Sequence, residues 1–505
     1  MSDIASLATN AARRFGRRGA ILFPGERLLS FHDIENLAGR FARGLASQGI
    51  GQGDRVVLCL PNCWRWIIAY HAIARLGAVV VPANILLSDA EIDYITSDSG
   101  AKALIVEAAR LERLDRGLAR PISVGAVEGT ALFDDLLDRE WQAAVDVAPV
   151  DLFTIGYTSG TTGRPKGAML THGGIFASVA GTATIHERCE SDRIYSALPL
   201  SHVYGNVVMN TVLHTGAWLA SAPRFDARDA LQAIADHRIT LFEGVPTMYY
   251  QMLGDPSLDA AELGSLRKCT VGGQSMPTPM IEKVRARFGC PMLELWGMTE
   301  LGGPATSHAP SWEPRLGSIG KPFPQTEVRI ASLEDPAREA ALGEAGELMV
   351  RGPLVMQGYW QREDASADTI RDGWLATGDI ATLDAAGYVT IVDRLKDMII
   401  TAGYNVYPAE LEQAIASHPA IMMAAVGGIP DEEKGELAHA FVVLRPGSDL
   451  TASELVEHCR SKLAAYKIPR AVHFVDDLPK TSTGKIMRRA LRELVAATVN
   501  ERMRP

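Results

Sequence analysis

Residues 157–167 read Tyr157-Thr158-Ser159-Gly160-Thr161-Thr162-Gly163-Arg164-Pro165-Lys166-Gly167. Four aliphatic hydroxyl side chains (Thr158, Ser159, Thr161, Thr162), three glycines and a lysine fall within eleven residues. Glycine lets the backbone turn so that successive N–H groups converge on one anion, and the hydroxyls add donors around it. The order is not that of a Walker A loop, in which lysine follows glycine directly and Ser or Thr follows lysine. Here Arg164-Pro165 separates Gly163 from Lys166, and Gly167 comes next. Taken alone, a phosphate cradle and a polar surface turn are equally good readings.

The stretches downstream separate the two. They are Trp296-Gly297-Met298-Thr299-Glu300, Thr377-Gly378-Asp379, Asp393-Arg394-Leu395-Lys396-Asp397 and Pro479-Lys480-Thr481-Ser482-Thr483-Gly484-Lys485. In this order and spacing the five motifs resemble the acyl-adenylate-forming superfamily of acyl-CoA synthetases, luciferases and peptide-synthetase adenylation domains. The resemblance runs from the N-terminal segment to about Lys485, nearly the whole chain.

A chain of 505 residues is too long for one ordinary core, so at least two domains are expected. Apolar content of 47% with 22% charged residues is that of a soluble globular protein. A net charge of −10 argues against nucleic acid as a partner. Cys59 and Cys63 are the close pair in sequence, no zinc pattern completes them, and they read as buried free thiols. Arg13, Arg14, Arg17 and Arg18 lack the apolar core and cleavage site of a targeting peptide, so an ordinary first helix is expected. The apolar run 67–87 is broken by His71, Arg75 and Pro82 and reads as no membrane span. The expected location is cytoplasmic, with a homodimer left open.

Periodicity gives the architecture. Ile34, Leu37, Phe41 and Leu45 recur at helical spacing over 30–48, with Gly49 as the stop. A strand over 56–60, a helix over 64–76 and a strand over 78–82 make a βαβ rhythm that recurs at 103–106 and 239–242. From about Gly317 the texture changes to short β-type runs with glycine turns (327–330, 347–350, 388–392), which suits a small barrel or hairpin set. The charged stretch 393–397 reads as an interruption, after which a strand over 398–401 and a helix over 408–417 begin anew. The expected fold is α/β. A large N-terminal domain, 1–395, has two mixed, mainly parallel sheets with helices and a small β-barrel; a small mobile α/β domain, 396–505, follows.

The resemblance implies ATP, Mg²⁺ and coenzyme A as ligands, with a carboxylic acid as the substrate. Activating a carboxylate with ATP brings two anions together, so the site needs preorganised cations and N–H donors. Thr158, Ser159, Gly160, Thr161, Thr162, Gly163 and Lys166 would hold the phosphates, and Glu300 the Mg²⁺. Trp296 would offer a face to adenine, and Asp379 with Arg394 would take the ribose. Gly273, Gln274, Ser275, Glu294, Leu295, Gly297, Met298, Thr299 and Val392 complete the expected nucleotide site. Lys485 matches the catalytic lysine that bridges the carboxylate and the α-phosphate, and His202 the position beside the acyl carboxylate.

By the same resemblance, the small domain rotates about Lys396. A loop including Ala402, Gly403 and Tyr404 then replaces Lys485 and lines a tunnel for pantetheine. Ala402-Gly403 stands where relatives often have Gly-Gly. Lys467, Arg470, Arg488 and Arg489 are candidates for the CoA phosphates, surface charge being the plainer role of each. The acyl pocket is expected from His202, Val203, Tyr204, Met209, Gly244, Val245, Thr247, Gly272, Gly273 and Gly302, with Gly302 and Gly303 leaving room for a long or flat acid. Uncharged Val203 and Tyr204 disfavour an amino acid, and Tyr249-Tyr250-Gln251 stands where malonate-activating relatives carry arginine. A fatty or aromatic monocarboxylate is the expected substrate. Two alternatives are an enzyme that loads a carrier protein and a dead-site nucleotide-binding regulator.

Overall fold

The computed structural model describes residues 3–158, 165–401, 404–431, 433–480, 486–488 and 490–494. Local chemistry sets the first elements as expected. Ser30 caps the helix Phe31–Ser47 through a reciprocal box with Asp33, and Gly49 ends it at φ 81°. The strand Arg55–Cys59, helix Trp64–Arg75 and strand Val79–Pro82 form a parallel βαβ unit. Both strands are apolar on both faces because helices cover the sheet on each side. Helix Leu7–Phe15, which carries Arg13 and Arg14, is an ordinary amphipathic helix with Leu7, Ala8 and Ala11 buried.

Two large sheets carry the N-terminal part. Among the described residues the first has nine strands, in the order Lys321–Pro322, Gly303–Ser307, Met292–Met298, Lys268–Val271, Leu241–Gly244, Arg193–Ser196, Trp218–Ser221, Gly19–Phe23, Arg27–Ser30. The strands from Met292–Met298 to Gly19–Phe23 are parallel, with antiparallel edges. The second has seven strands and ends in the pair Leu152–Thr158 and Lys166–Thr171. Functional motifs therefore sit where strands end and loops begin, the usual ligand position in open α/β sheets.

The β-rich middle is a five-stranded antiparallel sheet containing Glu327–Ser332, Gly346–Arg351, Trp374–Leu383 and Val389–Arg394. Its outer strands do not pair with each other among the described residues, so the expected barrel is a half-barrel. Asp393 and Arg394 are the last two residues of a strand, and not part of an interruption, because both pair with the strand Trp374–Leu383. Residues beyond 398 build a further five-stranded sheet with its own apolar clusters, one around Ile399, Leu411, Ile415 and Val442, the other around Phe441 and Leu491.

The cysteines are free. Cys189 is exposed, and the fold brings Cys269, on strand Lys268–Val271, together with Cys290, just before strand Met292–Met298, with sulfurs 3.5 Å apart. No described helix is long and apolar enough to cross a membrane.

Candidate active site

Thr158 ends one strand and Lys166 begins the next, directly opposite it in the antiparallel pair. The predicted loop residues Ser159, Gly160, Thr161, Thr162 and Gly163 lie outside the described residues. Both ends of the loop are fastened from outside. The Tyr157 hydroxyl donates to Asp98 Oδ2 at 2.7 Å, and the Tyr94 hydroxyl donates to the Pro165 carbonyl at 3.2 Å. Arg362 pairs with Asp98 at 3.1 Å. Burial, and then the Asp98 carboxylate, push the Tyr157 phenol far up, so it stays a donor.

Lys166 and Glu300 meet on a residue that none of the motifs contains. Lys166 Nζ lies 5.3 Å from the centroid of the Tyr359 ring, and the Tyr359 hydroxyl donates to Glu300 Oε1 at 2.9 Å. Glu300 is buried in the short turn Thr299–Leu301. That turn abuts strand Leu152–Thr158 because Gly156 has no side chain; a Cβ there would sit 2.6 Å from Thr299 Cγ2.

Trp296 has its ring in the main core, and its Nε1–H donates to Asp379 Oδ2 at 2.7 Å. Arg394 Nε pairs with Asp379 Oδ1 at 2.9 Å. Each carboxylate oxygen has a second lone pair, so the acceptor capacity a ribose diol needs remains. Thr377 Oγ1 accepts the Asp379 N–H at 3.1 Å, and Leu395 N–H donates to Gly378 O at 2.9 Å. Val392 is half-buried on the same strand as Arg394.

Glu294 is deeply buried, and burial raises its carboxyl to about 8 against the Gly317 N–H that donates to Oε2 at 2.9 Å. At neutral pH it therefore keeps its proton. A Cβ at Gly272 would lie 2.3 Å from Leu295 Cδ1, so the absence of a side chain here lets Leu295 pack close. Gly273 adopts φ 84°, Gln274 is half-buried and Ser275 is exposed. Gly297 and Met298 close the strand in half-buried positions.

His202 is the N-cap of helix Val203–Thr215, its Nδ1 accepting the Tyr204 N–H at 3.3 Å. Tyr204 is directed into a buried polar network. Its hydroxyl donates to Glu243 Oε2 at 3.0 Å and shares a 2.6 Å hydrogen bond with Thr270. Glu243 also pairs with Arg188, both side chains being inaccessible to solvent. Val203 is half-buried, Met209 fully buried, and Gly244, Val245 and Thr247 lie at the strand-to-helix junction. The expected space at Gly302 and Gly303 is taken. A Cβ at Gly302 would lie 2.9 Å from Ile175 Cδ1, and one at Gly303 would meet Ser178 Oγ at 2.6 Å and Val207 Cγ2 at 2.7 Å. These glycines fit the protein's own side chains, which removes Gly302 as a source of pocket volume. Tyr249 is fully buried and Tyr250 packs on the C-terminal apolar cluster.

The AMP-binding enzyme family matches residues 8–360, and the AMP-binding enzyme C-terminal domain matches 410–485. The chain belongs to the AMP-binding enzyme family. It is 35% identical to the long-chain-fatty-acid–CoA ligase of Bacillus subtilis, over 97% of this chain and 94% of that one. It is 38% identical to a feruloyl-CoA synthase of an Amycolatopsis species, over 93% and 94%. The structure of the Bacillus subtilis o-succinylbenzoate coenzyme A synthetase in complex with ATP and magnesium superposes with a TM-score of 0.84 at 31% identity, covering 96% of this chain and 99% of that one. The protein is an AMP-forming acid–CoA ligase that activates its carboxylic acid through an adenylate.

In this ligase the C-terminal part holds two surprises. Tyr404 is 56% exposed, its ring stacked 4.8 Å from that of Tyr466. The predicted residues Ala402, Gly403 and Lys485, and the phosphate candidate Arg489, lie outside the described residues. Arg488 is no surface cation. Its Nη1 reaches Asp393 Oδ1 at 3.1 Å and Asp397 Oδ2 at 3.4 Å, and its Nη2 reaches Glu412 Oε2 at 2.7 Å. Three surrounding carboxylates leave it unsuited to a CoA phosphate. Lys467 is likewise paired, with Glu410 at 2.7 Å. Lys396 is exposed.

Proposed function

We propose that the ligase converts a fatty or aromatic monocarboxylic acid to its CoA thioester in two steps at one site. ATP first yields the acyl-adenylate and pyrophosphate, and the CoA thiol then displaces AMP. The observation that carries this reading is the convergence of two motif pairs. Tyr359 joins Lys166 to Glu300, and Asp379 joins Trp296 to Arg394.

In this reading residues 158–166 hold the phosphates, with Lys166 steered by the Tyr359 ring. Asp379 accepts the ribose hydroxyls while Trp296 and Arg394 fix its carboxylate. Glu300 suits Mg²⁺, which takes one or two carboxylates and fills its remaining positions with phosphate oxygens and water. Its carboxylate is buried and oriented by Tyr359. When bound, Mg²⁺ offsets phosphate charge. Lys485 bridges the carboxylate and the α-phosphate, and residues 396–505 turn about Lys396 to bring residues 402–404 to the site for the thiol step.

A monocarboxylate is favoured because, where a second carboxylate would need a cation, Tyr249 is buried with its hydroxyl on the Thr270 carbonyl and Tyr250 packs on an apolar cluster, so neither supplies one. The test is AMP formation with ATP and Mg²⁺ across short, medium, long-chain, aromatic and dicarboxylic acids, with and without CoA. CoA-dependent turnover on one monocarboxylate class is expected. Turnover on dicarboxylates alone, or AMP release indifferent to CoA, contradicts the proposal.

A further inference from the structure

The carboxylate of Asp393 stands three residues before Lys396, yet its side-chain partners come almost entirely from beyond it. Oδ1 accepts from Arg488 Nη1 at 3.1 Å and Oδ2 from the Ala409 N–H at 2.8 Å, at the start of helix Pro408–Ala416. The one exception is the N–H of its own neighbour Arg394, at 2.7 Å. Successive strand residues face opposite ways. Arg394 accordingly turns to Asp379 while Asp393 turns to the C-terminal part. The Asp393 side chain is 1% exposed.

Arg488 is held differently. Glu412 grips it through both oxygens, Oε1 accepting from Nε at 3.2 Å and Oε2 from Nη2 at 2.7 Å, and Oε1 also accepts the Val426 N–H at 2.9 Å, so Arg488 is fixed to the C-terminal sheet. Asp397 adds a contact from just past Lys396. Arg488, Glu412, Asp397 and Ala409 all lie on the far side of Lys396 and keep one another when the C-terminal part turns. Asp393 alone is left behind.

We propose that Asp393 and Arg488 are positioning residues that latch the C-terminal part in the arrangement described here, and that this latch must open for the other half-reaction. The inference rests on the two-step reading with rotation about Lys396. Burial pushes the Asp393 carboxyl up to about 6, with Arg488 as the leading opposing influence, so in this arrangement the acid depends on its cation and separating the pair gives up a buried charge-assisted contact. The contact thus favours one arrangement over the other, and a ligand shifts such an equilibrium only by what it gains in one state.

The test measures both half-reactions separately in the full-length enzyme: acyl-adenylate formation from acid and ATP, and thioester formation from pre-made acyl-adenylate and CoA. Asp393→Asn keeps the shape and a hydrogen-bonding side chain while removing the charge. The ratio of the two rates is expected to shift at least tenfold from wild type, with Asp393→Glu restoring part of it. Equal loss in both steps, or an unchanged ratio, overturns the latch. Arg488→Lys, which keeps a cation among the three carboxylates, is expected to shift the ratio in the same direction; a shift in the opposite direction overturns the pairing. Lys485→Ala run alongside separates the layers. If it depresses both steps equally the rotation reading fails, whereas if it splits them and Asp393→Asn does not, the latch alone fails.

Discussion

The indole N–H of Trp296 points at the carboxylate of Asp379, 2.7 Å from Oδ2, across 83 residues of sequence. Both oxygens of that carboxylate carry a protein donor, Trp296 on one and Arg394 on the other. The carboxylate is thereby fixed in orientation, and on the proposed reading nucleotide binding does not have to order it.

Trp296→Phe keeps an aromatic ring and removes the donor. A hydrogen bond to a charged group is worth about 1.5–3 kcal/mol. The KM for ATP should rise about tenfold or more, with a smaller change in kcat. Steady-state kinetics with varied ATP check this, and an unaltered KM would mean that the indole is only core.

Tyr359→Phe leaves the ring under Lys166 but takes the hydroxyl from Glu300. Losing that contact frees the carboxylate to rotate, at a cost of about 1.5 kcal/mol or more. The Mg²⁺ concentration for half-maximal adenylation should rise roughly tenfold. A Mg²⁺ titration unchanged from wild type would remove Tyr359 from the site.

Glu294 gives a pH signature. Its folded value, about 8, lies above the ordinary 4.5, so its contribution to stability is full at acid pH and is lost as pH rises through about 8. Glu294→Gln removes this dependence. The Tm difference, variant minus wild type, should grow between pH 5.5 and 8.5. With about 2.1 cal/mol/K of unfolding entropy per residue, each kcal/mol corresponds to roughly 1 °C in a domain of about 400 residues. A difference that stays flat with pH would mean that Glu294 is ionised in the fold.

The Arg188–Glu243 pair is inaccessible to solvent on both sides, with Tyr204 and Thr270 on the same carboxylate. Glu243→Leu should cost about 3–5 kcal/mol, because it strands a buried guanidinium, and Arg188→Met combined with it should recover much of that loss. Urea unfolding of the three variants tests the pair. A single variant as stable as wild type would show that Arg188 reaches solvent without it.

What could be read in the sequence was local. The helix Phe31–Ser47 declares itself by Ser30, its apolar period and Gly49, and the strands around it by continuous apolar runs. Thr158, Lys166, Glu300, Asp379 and Arg394 stood out because each sits in a compact motif. Tyr359 carries no such mark. It reaches Glu300 across 59 residues, and its neighbourhood looks like any surface turn. Arg488 was hidden for the opposite reason. Beside Arg489 and Arg492 it looks like one more surface cation, and its acids lie 76 to 95 residues earlier. Gly303 misled because the absence of a side chain says that something approaches closely, not whether it is a ligand or, as here, Ser178 and Val207.

The most direct measurement is on Lys485→Ala, with adenylation followed by pyrophosphate exchange and thioester formation followed from pre-made acyl-adenylate and CoA. The account predicts a loss of about 10²–10³ in adenylation, the cost of one contact to developing charge, with the second step largely intact. Equal losses in both steps would contradict it.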